Sequence, residues 1–225
     1  GVDGVRCDMA HLVPPFFWEK AIKTVTSRHP NFAFIAEAYP NSLFDYSNIK
    51  ELYKAGFHAI YNNGLFENIK KIIVEGSPAE YLSSYLASLP KNQPGLTINY
   101  FFNHDDPPLD NKTGKKELSD QAIRFFETLL GLTLFVPGIP LIYNGSLLGK
   151  TTRLAHHWLE PLTQEFLEAE KRVPDKWQRL FFLRKNLPID TLQRIDHPRI
   201  QNNLLIFQKR RLLFVFNLTD KPQTL

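Results

Sequence analysis

The chain has little of what would place it in several common classes. Its one cysteine, Cys7, excludes an internal disulfide framework. It lacks an unbroken apolar run long enough to cross a bilayer: the longest apolar region, Thr128 to Tyr143, is interrupted by Pro137, Gly138 and Pro140. No dense Lys/Arg block stands behind the formal net charge of +4. The nearest to one, Lys209-Arg210-Arg211, reads as a hairpin turn between two apolar runs, so neither nucleic acid nor a membrane is an expected partner. There is no internal repeat and no low-complexity tract. The chain opens on Gly1 inside a strand pattern, so upstream sequence is expected, no leader peptide can be read, and the compartment stays open.

What is present is core-forming. A hydrophobic content of 43% with 18 Phe in 225 residues supports one large domain, or a domain and a half, and excludes a disordered chain. A short apolar approach through Val2 and Val5 leads to Arg6 and Asp8, which share one face of a strand. Pro15 to Arg28 reads as an amphipathic helix with apolar positions Phe17, Ala21, Ile22 and Val25. Asn31 to Glu37 reads as a buried parallel strand that ends on a carboxylate. Further strands are expected at Gly56–Tyr61, Leu96–Phe102 and Gly138–Tyr143, the last of them buried. Helices are expected at Leu65–Glu75, Pro78–Leu89, Leu118–Leu132 and Pro174–Asn186, with a polar loop at Asp110–Lys116. From Gln193 the chain turns strand-rich, with a hairpin pattern over Asn203–Gln208 and Leu212–Asn217.

Alternating strands and helices are the signature of a parallel sheet with right-handed crossovers. Three strand ends carry acids: Asp8, Glu37 and Asp105. In a parallel architecture those ends lie on one rim, where such acids can meet in a cleft. Read singly, each would be a structural carboxylate; as a set they are candidate catalytic groups.

Four ordered motifs resemble the α-amylase family of glycoside hydrolases. Gly4-Val5-Arg6-Cys7-Asp8 is similar to the family's fourth-strand motif and Phe34-Ile35-Ala36-Glu37 to its fifth. Phe102-Asn103-His104-Asp105 is similar to the seventh, and Pro137 to Gly145 to the eighth. The resemblance implies the fourth to eighth strands of a (β/α)8 TIM barrel over residues 1–190. It implies the start of an antiparallel β-sandwich domain over 191–225, the whole being a fragment of a longer enzyme. It makes Asp8 the nucleophile, Glu37 the general acid/base, and Asp105 the acid that steadies the transition state. Arg6 and His104 are implied as substrate-binding residues. The loop after Tyr143 departs from the family: Ser146-Leu147-Leu148 stands where a polar or acidic pair is usual.

The implied chemistry is retaining hydrolysis of α-1,4-linked glucans or maltooligosaccharides, with an α-glucan transglycosylase or a non-catalytic sugar-binding relative as alternatives. It needs a nucleophilic carboxylate and a second carboxyl that protonates the leaving oxygen. Arg6 would hold Asp8 ionised, and Glu37 would keep a proton in a less polar setting at the end of an apolar strand. No cofactor is required, and no metal ligand set is assigned. A structural calcium is compatible with the resemblance, its site not resolved in this chain; against a metal-dependent hydrolase built on His104-Asp105, no second His/Asp pair sits at ligand spacing. Tyr39, Tyr61, Trp18 and Trp158 could stack on sugar rings, with core filling the simpler role for each. Asp106 reads as solvated and His11 is not assigned.

Overall fold

The computed structural model describes residues 1–39, 48–92, 95–101, 103–105, 120–143, 147, 174–219 and 221–225. Phe102, Asp106, the loop 110–116, Asn144 to Ser146, Leu148 and Trp158 lie outside the described residues. The chain divides into two compact units, residues 1–63 with 91–98, and residues 64–90 with 99–225.

The first unit is built on parallel strands. β1 (Gly4–Cys7) pairs with β2 (Ala33–Ala36), β2 with β3 (Ala59–Tyr61), and β3 with β4 (Leu96–Asn99), each in parallel register. These four stand side by side in the order β1-β2-β3-β4. β1 and β2 approach closely because position 4 has no side chain: a Cβ on Gly4 would stand 2.6 Å from the Ala33 carbonyl oxygen. After β1 the chain makes a 3₁₀ turn (Ala10–Leu12) and enters α1 (Pro15–Thr26), with Pro15 at the first helical position, where its missing N–H costs nothing.

α1 packs Ile22 and Val25 inward, as its spacing predicts, but not Phe17. That ring is exposed, and Trp18 joins Ile22 and Val25 on a cluster with Phe34, Ala36, Leu52, Phe57 and Ile60. Position 18 lines up with 22 and 25 at helical spacing as well as 17 does with 21 and 25. The indole decides between them, meeting Phe57 edge-on at 5.1 Å and donating its N–H to the Ala10 carbonyl at 2.9 Å. A helix that the sequence pattern does not predict, α2 (Ile49–Lys54), follows a capping box: Asn48 Oδ1 accepts from the Glu51 N–H at 3.0 Å, and Glu51 Oε2 accepts from the Asn48 N–H at 2.9 Å.

The second unit contains α3 (Asn63–Glu75) less its first residue, α4 (Glu80–Asn92) up to Pro90, α5 (Asp120–Phe135), and β5 (Ile139–Pro140). α6 (Asp175–Asn186) and the short α7 (Ile189–Leu192) follow, then an antiparallel sheet of β6 (Asp196–Gln201), β7 (Leu204–Lys209) and β8 (Leu212–Asn217). The expected buried strand at Gly138–Tyr143 is two residues long and partly exposed, with Ile139 at 40%. Pro140 has no N–H to give a ladder, and the Leu141 N–H reaches the Asn99 carbonyl at 2.8 Å one residue beyond.

β6 and β7 join through Asn202-Asn203, both left-handed, the turn that matches strand twist. The core of this unit joins Leu65, Leu82 and Leu86 to Leu130, Leu134 and Phe135, with Trp177, Leu205, Phe207, Phe214 and Phe216. Phe207 stacks on Phe214 and Phe216 at 5.3 and 5.6 Å.

Lys209 corrects the reading of a basic turn. It is the last residue of β7, paired with Leu212 and fully buried, and only Arg210-Arg211 form the turn. Its ammonium donates to the carbonyls of Leu192 at 2.8 Å, Thr191 at 3.5 Å and Arg194, at and just past the end of α7, where helix carbonyls have no partner within the helix. Burial lowers its pKa to about 7, Arg184 adds to that, and Asp196 opposes it.

Candidate active site

Two turns build the site in the first unit. β1 ends at Cys7, and Asp8 is the first side chain past it; β2 ends at Ala36, and Glu37 is the first past it. Because the strands are parallel and Cys7 pairs with Ala36, both acids leave the sheet at the same rim. The backbone ties the two turns together: the Glu37 N–H donates to the Cys7 carbonyl at 3.0 Å and the Ala10 N–H to the Glu37 carbonyl at 2.8 Å.

Arg6 joins the acids. It pairs with Asp8, and its Nη2 lies 2.5 Å from Glu37 Oε1. Burial opposes the guanidinium charge, but Glu37 foremost, then Tyr61 and Asp8, outweigh it, so the Arg6 pKa is raised. The guanidinium also lies over the Tyr61 ring, 5.8 Å from its centroid, which gives that buried tyrosine a cation to face.

The two carboxylates occupy different surroundings, though not in the way the strand pattern suggests. Asp8 has 72% of its side chain exposed, whereas Glu37 has 4%. Glu37 is indeed buried, but its setting is polar. Besides Arg6 it takes the Tyr39 hydroxyl on Oε1 at 2.9 Å and the Met9 N–H on Oε2 at 3.1 Å. An apolar strand delivers the carboxyl to the rim; the side chains and amide of the turns then surround it with donors. Met9 can aim its amide there because its backbone is left-handed, at φ 41°, a conformation uncommon for a residue with a long side chain.

Tyr39 and Met9 are the contributors that sequence reasoning misses. A signal exists for the first, since Glu37 and Tyr39 are two apart in extended chain and share a face. None exists for a backbone amide. His11 is buried and its Nδ1 accepts from the Tyr39 N–H at 3.4 Å, so it braces the second turn. The half-buried Cys7 thiol has its pKa pushed up by burial, with Arg6 pulling the other way, which suits packing better than nucleophilic chemistry.

The remaining candidates belong to the second unit. Asn103, His104 and Asp105 follow β4, with the Asp105 N–H donating to Asn103 Oδ1 at 2.8 Å and His104 Nε2 2.8 Å from Asp105 Oδ2. The pair is partly exposed, the imidazole at 35% and the carboxylate at 43%. Trp18 and Tyr61 fill packing roles, as their contacts above describe. Among the described residues there is no group of three or more His, Cys, Asp or Glu that could hold a metal ion. Nor is any described helix long and apolar enough to cross a membrane.

No family model matches the chain. It is 31% identical over 211 residues to the α-1,4-glucan:maltose-1-phosphate maltosyltransferase of Rhodospirillum rubrum, a match covering 92% of this chain and 29% of that protein. Its structure is similar to an α-amylase from Lactobacillus plantarum, with a TM-score of 0.70 at 21% identity, covering 94% of this chain and 50% of the other. It is also similar to a cyclic α-maltosyl-(1→6)-maltose hydrolase from Arthrobacter globiformis, with a TM-score of 0.67 at 18% identity, covering 92% and 46%. The chain thus spans under a third of the curated relative and about half of the solved structures. The strands in parallel order and the antiparallel sheet that follows agree with these likenesses, which are consistent with a partial α-amylase-family fold.

Proposed function

We propose that this chain carries the catalytic carboxylates of a retaining α-glucan-active enzyme. The observation that carries the reading is the Arg6 guanidinium set between Asp8 and Glu37 at the ends of adjacent parallel strands. One cation touching both acids keeps them near each other, as a nucleophile and an acid/base working on one glycosidic bond must be, roughly 5–5.5 Å apart. Asp8, the exposed acid, attacks the anomeric carbon. Glu37 gives its proton to the departing glycosidic oxygen, which takes the electron pair of the broken bond. In the second half Glu37 takes a proton from the incoming hydroxyl as it displaces Asp8. Asp105 is the third negative charge in this reading, and His104 a sugar contact; residues 1–190 belong to the catalytic barrel and 191–225 to the start of the β-domain. The substrate is an α-1,4-glucan or maltooligosaccharide, and the chemistry needs no cofactor.

Hydrolase and transglycosylase share every step up to the incoming hydroxyl. The curated relative, whose name pairs an α-1,4-glucan with maltose 1-phosphate, favours transfer; the α-amylase likeness favours water. The full-length protein is incubated with maltoheptaose alone, and with maltoheptaose plus maltose 1-phosphate. A net gain of reducing ends in the first mixture marks hydrolysis. Longer chains with released phosphate from the second mark transfer. Glu37→Gln is expected to lower either turnover by about 10³-fold while glucan binding persists. Unchanged turnover in that variant ends the acid/base assignment, and binding without turnover in the parent protein marks a sugar-binding relative.

A further inference from the structure

Glu37 has two oxygens, and the structure treats them differently. Oε1 receives the Tyr39 hydroxyl at 2.9 Å and faces Arg6 Nη2 at 2.5 Å. Oε2 receives the Met9 amide at 3.1 Å. Oε1 thus carries a hydroxyl hydrogen bond and stands against a cation, whereas Oε2 meets a single neutral amide. A proton placed on Oε1 would have to displace a hydroxyl or stand against a guanidinium. One placed on Oε2 would not. Tyr39 is itself held: its N–H donates to His11 Nδ1 at 3.4 Å, and the two rings meet edge-on with centroids 6.2 Å apart.

We propose that Tyr39 is a positioning residue that fixes which oxygen of Glu37 exchanges the proton, its hydroxyl occupying Oε1 so that Oε2 serves as acid and base. The inference rests on Glu37 being the acid/base. The proton leaves Oε2 for the glycosidic oxygen as the bond from that oxygen to the anomeric carbon breaks. It returns to Oε2 from the attacking hydroxyl as Asp8 is released. Without the phenol the carboxyl can rotate and present either oxygen, and a smaller fraction of encounters finds the proton aligned.

The test is Tyr39→Phe in the full-length protein, assayed on maltoheptaose and on α-maltosyl fluoride, whose leaving group departs with little help from a proton. The expected result is a kcat on maltoheptaose lowered about 10- to 100-fold with KM changed less than about threefold, and a kcat/KM on the fluoride, which reports only the first half-reaction, within about threefold of the parent. Equal losses of kcat/KM on both substrates would make Tyr39 a general support of the site and overturn the proposal. So would wild-type turnover on both, or a loss confined to KM. A Tyr39→Phe protein that no longer folds, by circular dichroism, would show that the hydroxyl holds the turn rather than the carboxyl, and would overturn the proposal too. Glu37→Gln, run on both substrates, keeps the two readings apart. If it loses maltoheptaose turnover while Tyr39→Phe does not, only the positioning role fails; if it loses neither, the acid/base assignment fails first.

Discussion

Each unit places a cation where water is scarce, and the two are handled in opposite ways. Arg6, at the end of β1, faces Glu37 and Asp8 and has its pKa raised. Lys209, at the end of β7, faces carbonyl oxygens and has its pKa lowered to about 7 by burial. A full opposite charge offsets the loss of hydration, and backbone dipoles offset only part of it. The difference separates a cation kept charged between two carboxylates from one that closes the end of a helix. Arginine also suits the first place because its planar fork reaches two carboxylates at once, whereas an ammonium suits a ring of carbonyls.

That contrast can be broken experimentally. The largest effect is expected from Arg6→Met, which strands the nearly buried Glu37 carboxylate: a loss of about 3 kcal/mol in urea unfolding of the full-length protein. Adding Glu37→Gln to that variant should recover much of the loss, because no buried charge is then left unpaired; Asp8 keeps its hydration. A cost for Arg6→Met within about 0.5 kcal/mol, the range of an ordinary surface change, would remove Arg6 from its role as counter-ion.

A smaller, pH-dependent effect belongs to Lys209. Its native pKa of about 7 lies below the ordinary lysine value of 10.5, so between those values the unfolded chain binds the extra proton. Stability therefore rises with pH from about 7 toward 10.5 through this group, and its contribution is lowest below pH 7. Lys209→Met should remove that rise, read as a flatter plot of urea midpoint against pH; an unchanged slope would mean that the ammonium stays charged in the fold. The smallest effect is expected from Asp196→Asn. Asp196 raises the Lys209 pKa, so its loss should extend the same rise to slightly lower pH without altering the midpoint far from neutrality.

Periodicity is most informative where one face is buried and long. α1, α3, α5, α6 and the β7–β8 hairpin follow from it to within a few residues. α2 escapes it although Asn48 and Glu51 stand at capping-box spacing, because six residues are too few for an apolar stripe to appear. α7, at four residues, offers even less. The strand expected at Gly138–Tyr143 is too long and too deep, since apolar composition cannot tell a buried strand from a partly exposed one near proline. Arg6, Asp8 and Glu37 are legible because strand ends and acids are both visible in a linear chain. The donors around Glu37 are not, because two of them come from a different turn and one of those is a backbone amide.

The order of residues alone determined the alternation of strands and helices, the acids at the C-terminal ends of β1 and β2, and the hairpin of the last two strands. These are local matters, set by side-chain period, turn chemistry and the short reach of neighbouring groups. Only the tertiary structure decided that Arg6 serves both Asp8 and Glu37, that Tyr39 and Met9 divide the oxygens of Glu37 between them, and that Lys209 is a buried cap rather than part of a solvated turn. Each depends on segments distant in sequence arriving within hydrogen-bond range, where burial sets how strongly a charge must be answered.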